Sequence, residues 1–306
     1  MRIFCPVWGN KHINLLKNAL GKSLSWPRNA KAITGCEWNI ITSSQQEASQ
    51  IANIIQGFGI DSQAQIIVIP QLDNPNTDKG MILIVPLRET IQACLKDKKP
   101  MLMATPDFIY GDGTIDAFKA IAKEEGSCAS IAHLRVIPSI FESLKDLEKR
   151  RGTPSNAQLM GKAFIHSHIS WSDSDHRLYK SGLRKWKVSE DKIAFESYPT
   201  YAVQHFMPSP FFCNFLSQDL DSFNKWVDGR PPGFGLFDHW WPTDLIEQGR
   251  LKFIGSSDIA CMVEITDVNA NVPPINELND PPNGFMHTKL HNNIQKQFIS
   301  CFRGEL

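Results

Sequence analysis

The sequence predicts an α/β fold: a mostly parallel, Rossmann-like sheet with helices on both faces and an irregular C-terminal elaboration. Two observations predict it. Over residues 1–135, apolar runs of strand length alternate with stripes of helical period, in the order β-α-β-α-β-α-β-α-β. Beyond about residue 160 that regularity fades, and aromatics, histidines and prolines dominate 164–245.

Arg2–Val7 is a β-rich run, and Trp8-Gly9-Asn10 turns the chain into a helix with Ile13, Leu16 and Leu20 on one face. Trp38–Thr42 reads as a second strand, with Ser43 or Ser44 able to cap the next helix. In that helix Ala48, Ile51, Ala52 and Ile55 form an i, i+3, i+4, i+7 stripe that ends at Gly57 or Gly59. Gln65–Ile69 is an apolar run of strand length closed by Pro70. Leu87, Ile91, Cys94 and Leu95 mark a helix face, and Met101–Thr105 is a buried-strand candidate. A helix from about Asp116 to Glu125 stops at Gly126, Ala129–Leu134 is strand-like, and 136–160 is helical and charged. A proline-rich stretch then precedes a short helix candidate near Leu290–Phe302. No Ser/Gly linker intervenes. The expected division is an α/β half over 1–135, continuous with a second half over 136–306.

Composition narrows the function. The chain has 306 residues, 42% hydrophobic and 21% charged, enough to bury a sizeable core. Lys+Arg and Asp+Glu are equal at 32 each, which argues against nucleic acid as the main partner, because neutralising phosphates needs a basic excess. The seven cysteines are scattered without C-x-x-C pairs, as buried thiols of a reducing compartment are. The N-terminus reads as a strand rather than a signal peptide, and no apolar run approaches the ~20 residues needed to cross a bilayer. A cytoplasmic protein is expected.

Pro106-Asp107-Phe108-Ile109-Tyr110-Gly111-Asp112-Gly113 is the strongest local feature. An apolar strand delivers acids into a glycine-flanked turn at the carboxyl edge, where open α/β sheets bind ligands. Asp112 between Gly111 and Gly113 has little steric cover, so backbone can approach a phosphate and the carboxylate can hold Mg²⁺ or Mn²⁺. The plainer reading is an ordinary turn with Asp as the turn former. His166-Ser167-His168 places two imidazoles on one side if the segment is a strand, and His205 comes later; imidazole can ligate a metal, bind diphosphate or act as a base. His166, His168 and His205 are expected to face the cleft of Asp112, against the plainer expectation that each bonds local backbone. Asp258, after Gly255-Ser256-Ser257, is the leading candidate base, with Asp238 and Asp244 as rivals. Aromatics around Asp238-His239-Trp240-Trp241 can stack on a sugar or simply fill a core. Lys149-Arg150-Arg151 and Arg184-Lys185-Trp186-Lys187 read most simply as solvated faces.

In order along the chain, Pro6-Val7-Trp8-Gly9, Ser23-Leu24-Ser25-Trp26-Pro27-Arg28-Asn29, Ile41-Thr42-Ser43 and Pro106–Thr114 resemble a bacterial family of GT-A-like nucleotide-sugar glycosyltransferases. His205-Phe206-Met207-Pro208 and Ser257-Asp258 resemble further motifs of that family. The resemblance implies a GT-A-type sheet and a nucleotide-sugar site made from Pro6, Val7, Trp8, Gly9, Thr42, Asp107 and Asp112. Gly111, Gly113, His166 and His168 join that site, with Asp258 and His205 as catalytic candidates and Asp112 as the metal ligand. It also implies transfer to a carbohydrate or other hydroxyl acceptor. Many GT-A enzymes carry Asp-x-Asp at the fourth strand, but Tyr110 stands here where the first acid would be, which leaves dependence on Mg²⁺ or Mn²⁺ open. Two other readings stay open: a sugar nucleotidyltransferase, weakened by the lack of a Gly-rich basic loop after the first strand, and a non-catalytic nucleotide- or sugar-binding module.

Overall fold

The computed structural model describes residues 1–60, 62–131, 133–168, 183–189, 192–197, 212–229, 245, 248–268 and 299–303. The chain forms two compact units that interleave in sequence. The first holds Met1–Ile109, Ile115–Ser130 and Ser209–Lys252; the second holds Tyr110–Thr114, Ile131–Pro208 and Phe253–Leu306. Residues 209–252 thus return to the first unit. Sequence patterning gives no sign of that return.

In the first unit, β1 (Arg2–Pro6) leads into a helical run: α1 (Gly9–Leu15), one π turn (Leu16–Leu20), and α2 (Gly21–Leu24). Then come α3 (Pro27–Ile33), β2 (Cys36–Thr42), α4 (Gln45–Gly57), β3 (Ser62–Val68), α5 (Lys79–Asp97) and β4 (Met101–Met103). Next are β5 (Phe108–Tyr110), α6 (Thr114–Ile121), β6 (Cys128–Ile131) and β7 (Leu134–Val136), then α7 (Ile140–Arg151) and α8 (Asn156–Ile165). The rest comprises β8 (Leu183–Ser189), β9 (Lys192–Ser197), β10 (Phe212–Cys213), α9 (Ser217–Gly229), β11 (Leu251–Ile254), β12 (Met262–Ile265) and β13 (Ile299–Arg303).

The main sheet has the order β11-β6-β10-β4-β1-β2-β3. β1 pairs parallel with both β2 and β4, and β2 pairs parallel with β3; β10 is antiparallel to β4 and β6. The fold is thus α/β and mostly parallel, as the sequence predicts. Register explains how both faces are covered. Phe4, Asn39, Ile41, Met101, Met103, Cys128 and Cys213 share one face, and Leu83, Leu87 and Ile91 of α5 pack on it. Each such apolar side chain contributes about 1.5–3 kcal/mol when fully buried. Asn39 is satisfied there by donating from Nδ2 to Thr90 Oγ1 at 3.0 Å. Ile3, Cys5, Trp38, Ile40 and Leu102 point to the opposite face.

Several expectations shift. The strand expected at Gln65–Ile69 is β3, an edge strand whose Gln63, Ala64 and Gln65 are exposed. α5 begins at Lys79, eight residues before its expected apolar face, because Asp78 caps it by accepting from the Met81 N–H at 3.1 Å. Pro86 inside it removes one helical donor, and that disguises the first two turns in the sequence. The single strand expected over Ala129–Leu134 is two, β6 in the main sheet and β7 in a three-stranded sheet of order β5-β12-β7. The helix candidate near Leu290–Phe302 is corrected at its end: Ile299–Arg303 is a strand, antiparallel to β9, and the part before it lies outside the described residues. Arg184-Lys185-Trp186-Lys187 lies in β8, which pairs antiparallel with β9.

One buried ion pair secures the returning segment. Asp219, in the first turn of α9, accepts the Leu216 N–H at 2.7 Å and two bonds from the Arg250 guanidinium at 2.6 and 2.5 Å. Arg250 also donates to Gly126 O at 2.6 Å, and its own carbonyl accepts the Cys128 N–H at 2.9 Å. Removing the cation leaves a buried carboxylate uncompensated. Arg250→Leu is therefore expected to lower unfolding free energy in urea by about 3–5 kcal/mol. Asp219→Asn in the same chain should recover part of that loss.

Candidate functional site

Strand order marks a candidate position for a ligand. From β1 the chain moves to β2 and β3 on one side, then to β4 on the other, so the direction of winding reverses between β1 and β4. Loops leaving adjacent strands at such a switch point diverge to opposite faces and open a crevice at the carboxyl edge. After β1, Val7 extends the pairing by donating to Ile41 O at 2.7 Å; Trp8 is extended and Gly9 turns at φ +75°. That dihedral favours glycine, and a Cβ at Gly9 would meet nothing within 4 Å, so the demand is conformational rather than steric. After β4, Ala104 donates to Phe4 O at 2.9 Å, and Thr105-Pro106-Asp107 turns with the Phe108 N–H on Thr105 O at 3.2 Å. Asp107 is close enough to Cys5 to act on its thiol, which burial first, and then the Asp107 charge, push far above its ordinary value.

Glu47 dominates the neighbouring turn. Its carboxylate accepts the Gly9 N–H at 2.7 Å on one oxygen; the other takes Thr42 Oγ1 at 2.8 Å, Ser43 Oγ at 2.5 Å and the Ser43 N–H at 3.2 Å. The turns after β1 and β2 are thereby tied to one side chain. Burial alone would raise this carboxyl, but hydrogen bonds from Ser43, Thr42 and Gly9 outweigh it and hold the pKa below the usual range. Sequence reasoning placed Thr42 here and missed Glu47. The signal was present, since Ser44-x-x-Glu47 has the spacing of a capping box. Only half of the box forms: Ser44 accepts the Glu47 N–H at 3.2 Å, while the Glu47 side chain turns to the β1 loop. Beside it the Trp8 and His12 rings stand 5.6 Å apart, and His12 Nδ1 lies 2.9 Å from Trp8 O.

The second unit carries the other acids. Gly111 donates to Cys261 O at 2.8 Å, and Thr114 Oγ1 donates to the same oxygen at 3.0 Å. A Cβ on Gly111 would lie 2.3 Å from Asn156 Oδ1 and 2.4 Å from Cys261 Sγ, so close approach demands glycine. Gly113 comes next but one, at φ +93°. Asp112, half-buried between them, sits on this pinned turn. Asn156 and Cys261 were not anticipated, because nothing local in the sequence links positions 111, 156 and 261. Asp258 is exposed on the turn before β12, its N–H donating to Ser256 Oγ at 3.3 Å.

The histidines depart from the expected strand. α8 runs to Ile165 and His166 caps it, so the expected strand shrinks to an isolated antiparallel bridge of Ser167 to Val136. His166 has Ser139 Oγ at 2.8 Å from Nδ1 and Ser143 Oγ at 2.7 Å from Nε2, which occupies both ring nitrogens. His168 is buried and its N–H donates to Arg135 O at 2.9 Å; burial chiefly holds its pKa below the ordinary value. His205, Asp238 and Asp244 lie outside the described residues. An unexpected cluster does form: Glu264 sits 2.8 Å from His133 Nε2 and 3.0 Å from Arg135 Nε. Burial would raise Glu264, but its hydrogen bonds and charge interactions with His133 and Arg135 prevail and hold it down to about 2.

Among the described residues, no three His, Cys, Asp or Glu side chains gather as a metal-ligand set. Asp112 accordingly belongs to no such set among the described residues. No helix of the described residues is long and apolar enough to cross a membrane.

No family model and no curated protein matches the chain. Among solved structures, S. aureus TarS 1–349 in complex with UDP aligns at a TM-score of 0.38 and 14% identity, over 87% of this chain and 61% of that one. Mouse xyloside xylosyltransferase 1 in its apo form aligns at 0.31 and 8%, over 49% and 57%. Core-mannan synthase A from Aspergillus fumigatus, in its Mn/GDP form, aligns at 0.24 and 10%, over 52% and 50%. The chain thus spans about three fifths of the first two and half of the third. At these TM-scores no residue role transfers, and the site rests on this chain's own geometry.

Two substitutions test that geometry. Glu47→Ala strands four donors and is expected to cost about 1–3 kcal/mol in urea unfolding at neutral pH. Because the folded carboxyl is held low, its contribution is complete above the unfolded-state value and fades as pH falls through the folded one. The gap between wild type and Glu47→Ala should accordingly narrow in acid. Gly111→Ala should lower the melting temperature through overpacking worth about 1–3 kcal/mol, whereas Gly57→Ala, with open space around its Cβ, should not.

Proposed function

We propose that this protein transfers a sugar from a nucleotide-activated donor to an acceptor hydroxyl. One observation carries the reading: the Pro6–Gly9 and Thr105–Asp107 turns flank the winding reversal at the carboxyl edge of parallel strands, where open α/β sheets take ligands. The likeness of Pro6-Val7-Trp8-Gly9, Ile41-Thr42-Ser43 and Pro106–Thr114 to GT-A-like nucleotide-sugar transferases supports it.

In this reading Pro6, Val7, Trp8, Gly9 and Thr42 line the nucleotide pocket, with the exposed part of the Trp8 ring available to a base. Glu47 acts behind them, fixing the Gly9 and Ser43 backbone rather than touching the donor. Asp107 and Asp112, with Gly111 and Gly113, are assigned to the sugar end. His166 and His168 keep their proposed place in the nucleotide-sugar site, and His205 its proposed catalytic place. Transfer breaks the bond from the anomeric carbon to the diphosphate oxygen and forms one to the acceptor oxygen. The acceptor proton passes to a carboxylate, for which Asp258 is proposed.

A thermal-shift series with UDP-, GDP- and dTDP-linked sugars, with and without Mn²⁺, tests the donor. A ligand at a hundred times its Kd stabilises the native state by about 2.7 kcal/mol. A saturable rise with one nucleotide class is expected, weakened by Gly9→Val. No saturable rise with any of them would reject the reading. Asp112→Asn should then remove most transfer activity at an unchanged melting temperature, and full activity would reduce Asp112 to a turn former.

A further inference from the structure

The α7–α8 hairpin of the second unit holds a groove of its own. Ser143, Asp146, Leu147, Arg150 and Arg151 of α7 face Gln158 and Lys162 of α8 across a concavity of about 330 Å³. On α7, positions 143, 147, 150 and 151 fall at the i, i+4, i+7 and i+8 spacing of one helical face, and 158 and 162 are one turn apart on α8. The helices are joined by four residues that turn at Gly152, φ +77°. A capping box fixes the start of α8, with Ser155 Oγ accepting the Gln158 N–H at 3.2 Å and Gln158 Oε1 accepting the Ser155 N–H at 3.0 Å. His166 orients the Ser143 hydroxyl from the far end at 2.7 Å. The groove's walls are thus held before any ligand arrives.

Its charge is unbalanced. Arg150, Arg151 and Lys162 converge on one concavity, and among the described residues none of them has an ion-pair partner. Asp146 is the only acid in the lining. Arg150 and Arg151 are exposed and Lys162 is half-buried, so the lining presents three cations against the single carboxylate of Asp146, an excess of positive charge open to a ligand from solvent. Two guanidinium forks and an ammonium match the oxygens of a phosphate, with the bidentate geometry Arg favours. Asp146, in the same lining, can accept a hydrogen bond and so favours a ligand that carries a hydroxyl near its phosphate. The volume stands at the small end of ligand pockets, about 300 Å³ upward, too small for a polymer to be engulfed.

We propose that this groove binds a small phosphorylated polyol or sugar, the phosphate on Arg150, Arg151 and Lys162 and a hydroxyl on Asp146. The site is independent of the nucleotide reading, since it uses no residue of the sheet edge. Isothermal titration of the full chain with glycerol 1-phosphate, inorganic phosphate and glycerol tests it. Glycerol 1-phosphate is expected to bind saturably and inorganic phosphate several-fold more weakly, with no binding of glycerol. Arg151→Ala and Lys162→Met should each weaken glycerol 1-phosphate at least tenfold, while Lys145→Ala on the same helix, outside the groove, should not. Asp146→Asn should narrow the preference for glycerol 1-phosphate over phosphate. Equal affinity in wild type, Arg151→Ala and Lys162→Met, or no saturable heat, would show a solvated basic face only and overturn the proposal. Nucleotide-sugar stabilisation measured on the same variants separates the two sites, because it should be unchanged in both.

Discussion

The carboxylate of Glu47 is where the sheet edge acquires a fixed shape. Parallel strands end in turns whose N–H groups have no ladder partner, and buried donors of that kind must be satisfied. Here one side chain from α4 takes two backbone donors and two hydroxyls from the turns after β1 and β2. Neighbouring strands are thereby tied at the end where a ligand would enter. Gly9 at φ +75° permits the close approach, and Ser44 starts α4 so that Glu47 lies in its first turn. The turns after β1 and β2 inherit their fixed geometry from this arrangement.

Comparable pinning recurs in each unit by different chemistry. In the first, Asp219 and Arg250 secure the segment that brings β10 between β4 and β6, so an antiparallel strand completes an otherwise parallel sheet. In the second, Cys261 O receives both Gly111 and Thr114, and the Asp112 turn is held by backbone rather than by charge. Such preformed turns let acids stay half-exposed without the turn itself becoming loose, a condition for placing carboxylates against a substrate. The burial that holds the Cys261 thiol far above its ordinary value also makes it a packing group, not a nucleophile.

The histidine expectation shows where periodic reasoning misleads. His166-Ser167-His168 alternates in type, and alternation suggests a strand, yet the apolar stripe Leu159, Met160 and Ala163 carries a helix through Ile165. His166 then closes the helix and bonds two serines, Ser139 before α7 and Ser143 within it, a local role that no spacing within 166–168 encodes. Lys149-Arg150-Arg151, read as a solvated run, is exposed throughout, and the packing of α8 against α7 adds Lys162 beside two of those cations.

The sequence by itself determined most of the alternation of strands and helices through residue 128, the stripe of α4 and its serine cap. These depend on φ/ψ preferences and on side chains three or four positions apart, so the information is local. Phe108–Tyr110, by contrast, read as part of an acidic turn at the edge of the main sheet, is β5 of a separate three-stranded sheet, and the Asp112 turn follows that strand. The tertiary structure alone decided the strand order, the antiparallel insertion of Phe212–Cys213, the split of 129–134 between two sheets, and the interleaving of the units. It also decided the partners of Glu47, Gly111 and Glu264, which lie 38, 150 and 131 residues away at Gly9, Cys261 and His133. Those choices are settled by which distant donors and apolar faces can be satisfied together once the chain has closed on itself, and no window of neighbouring residues contains that condition.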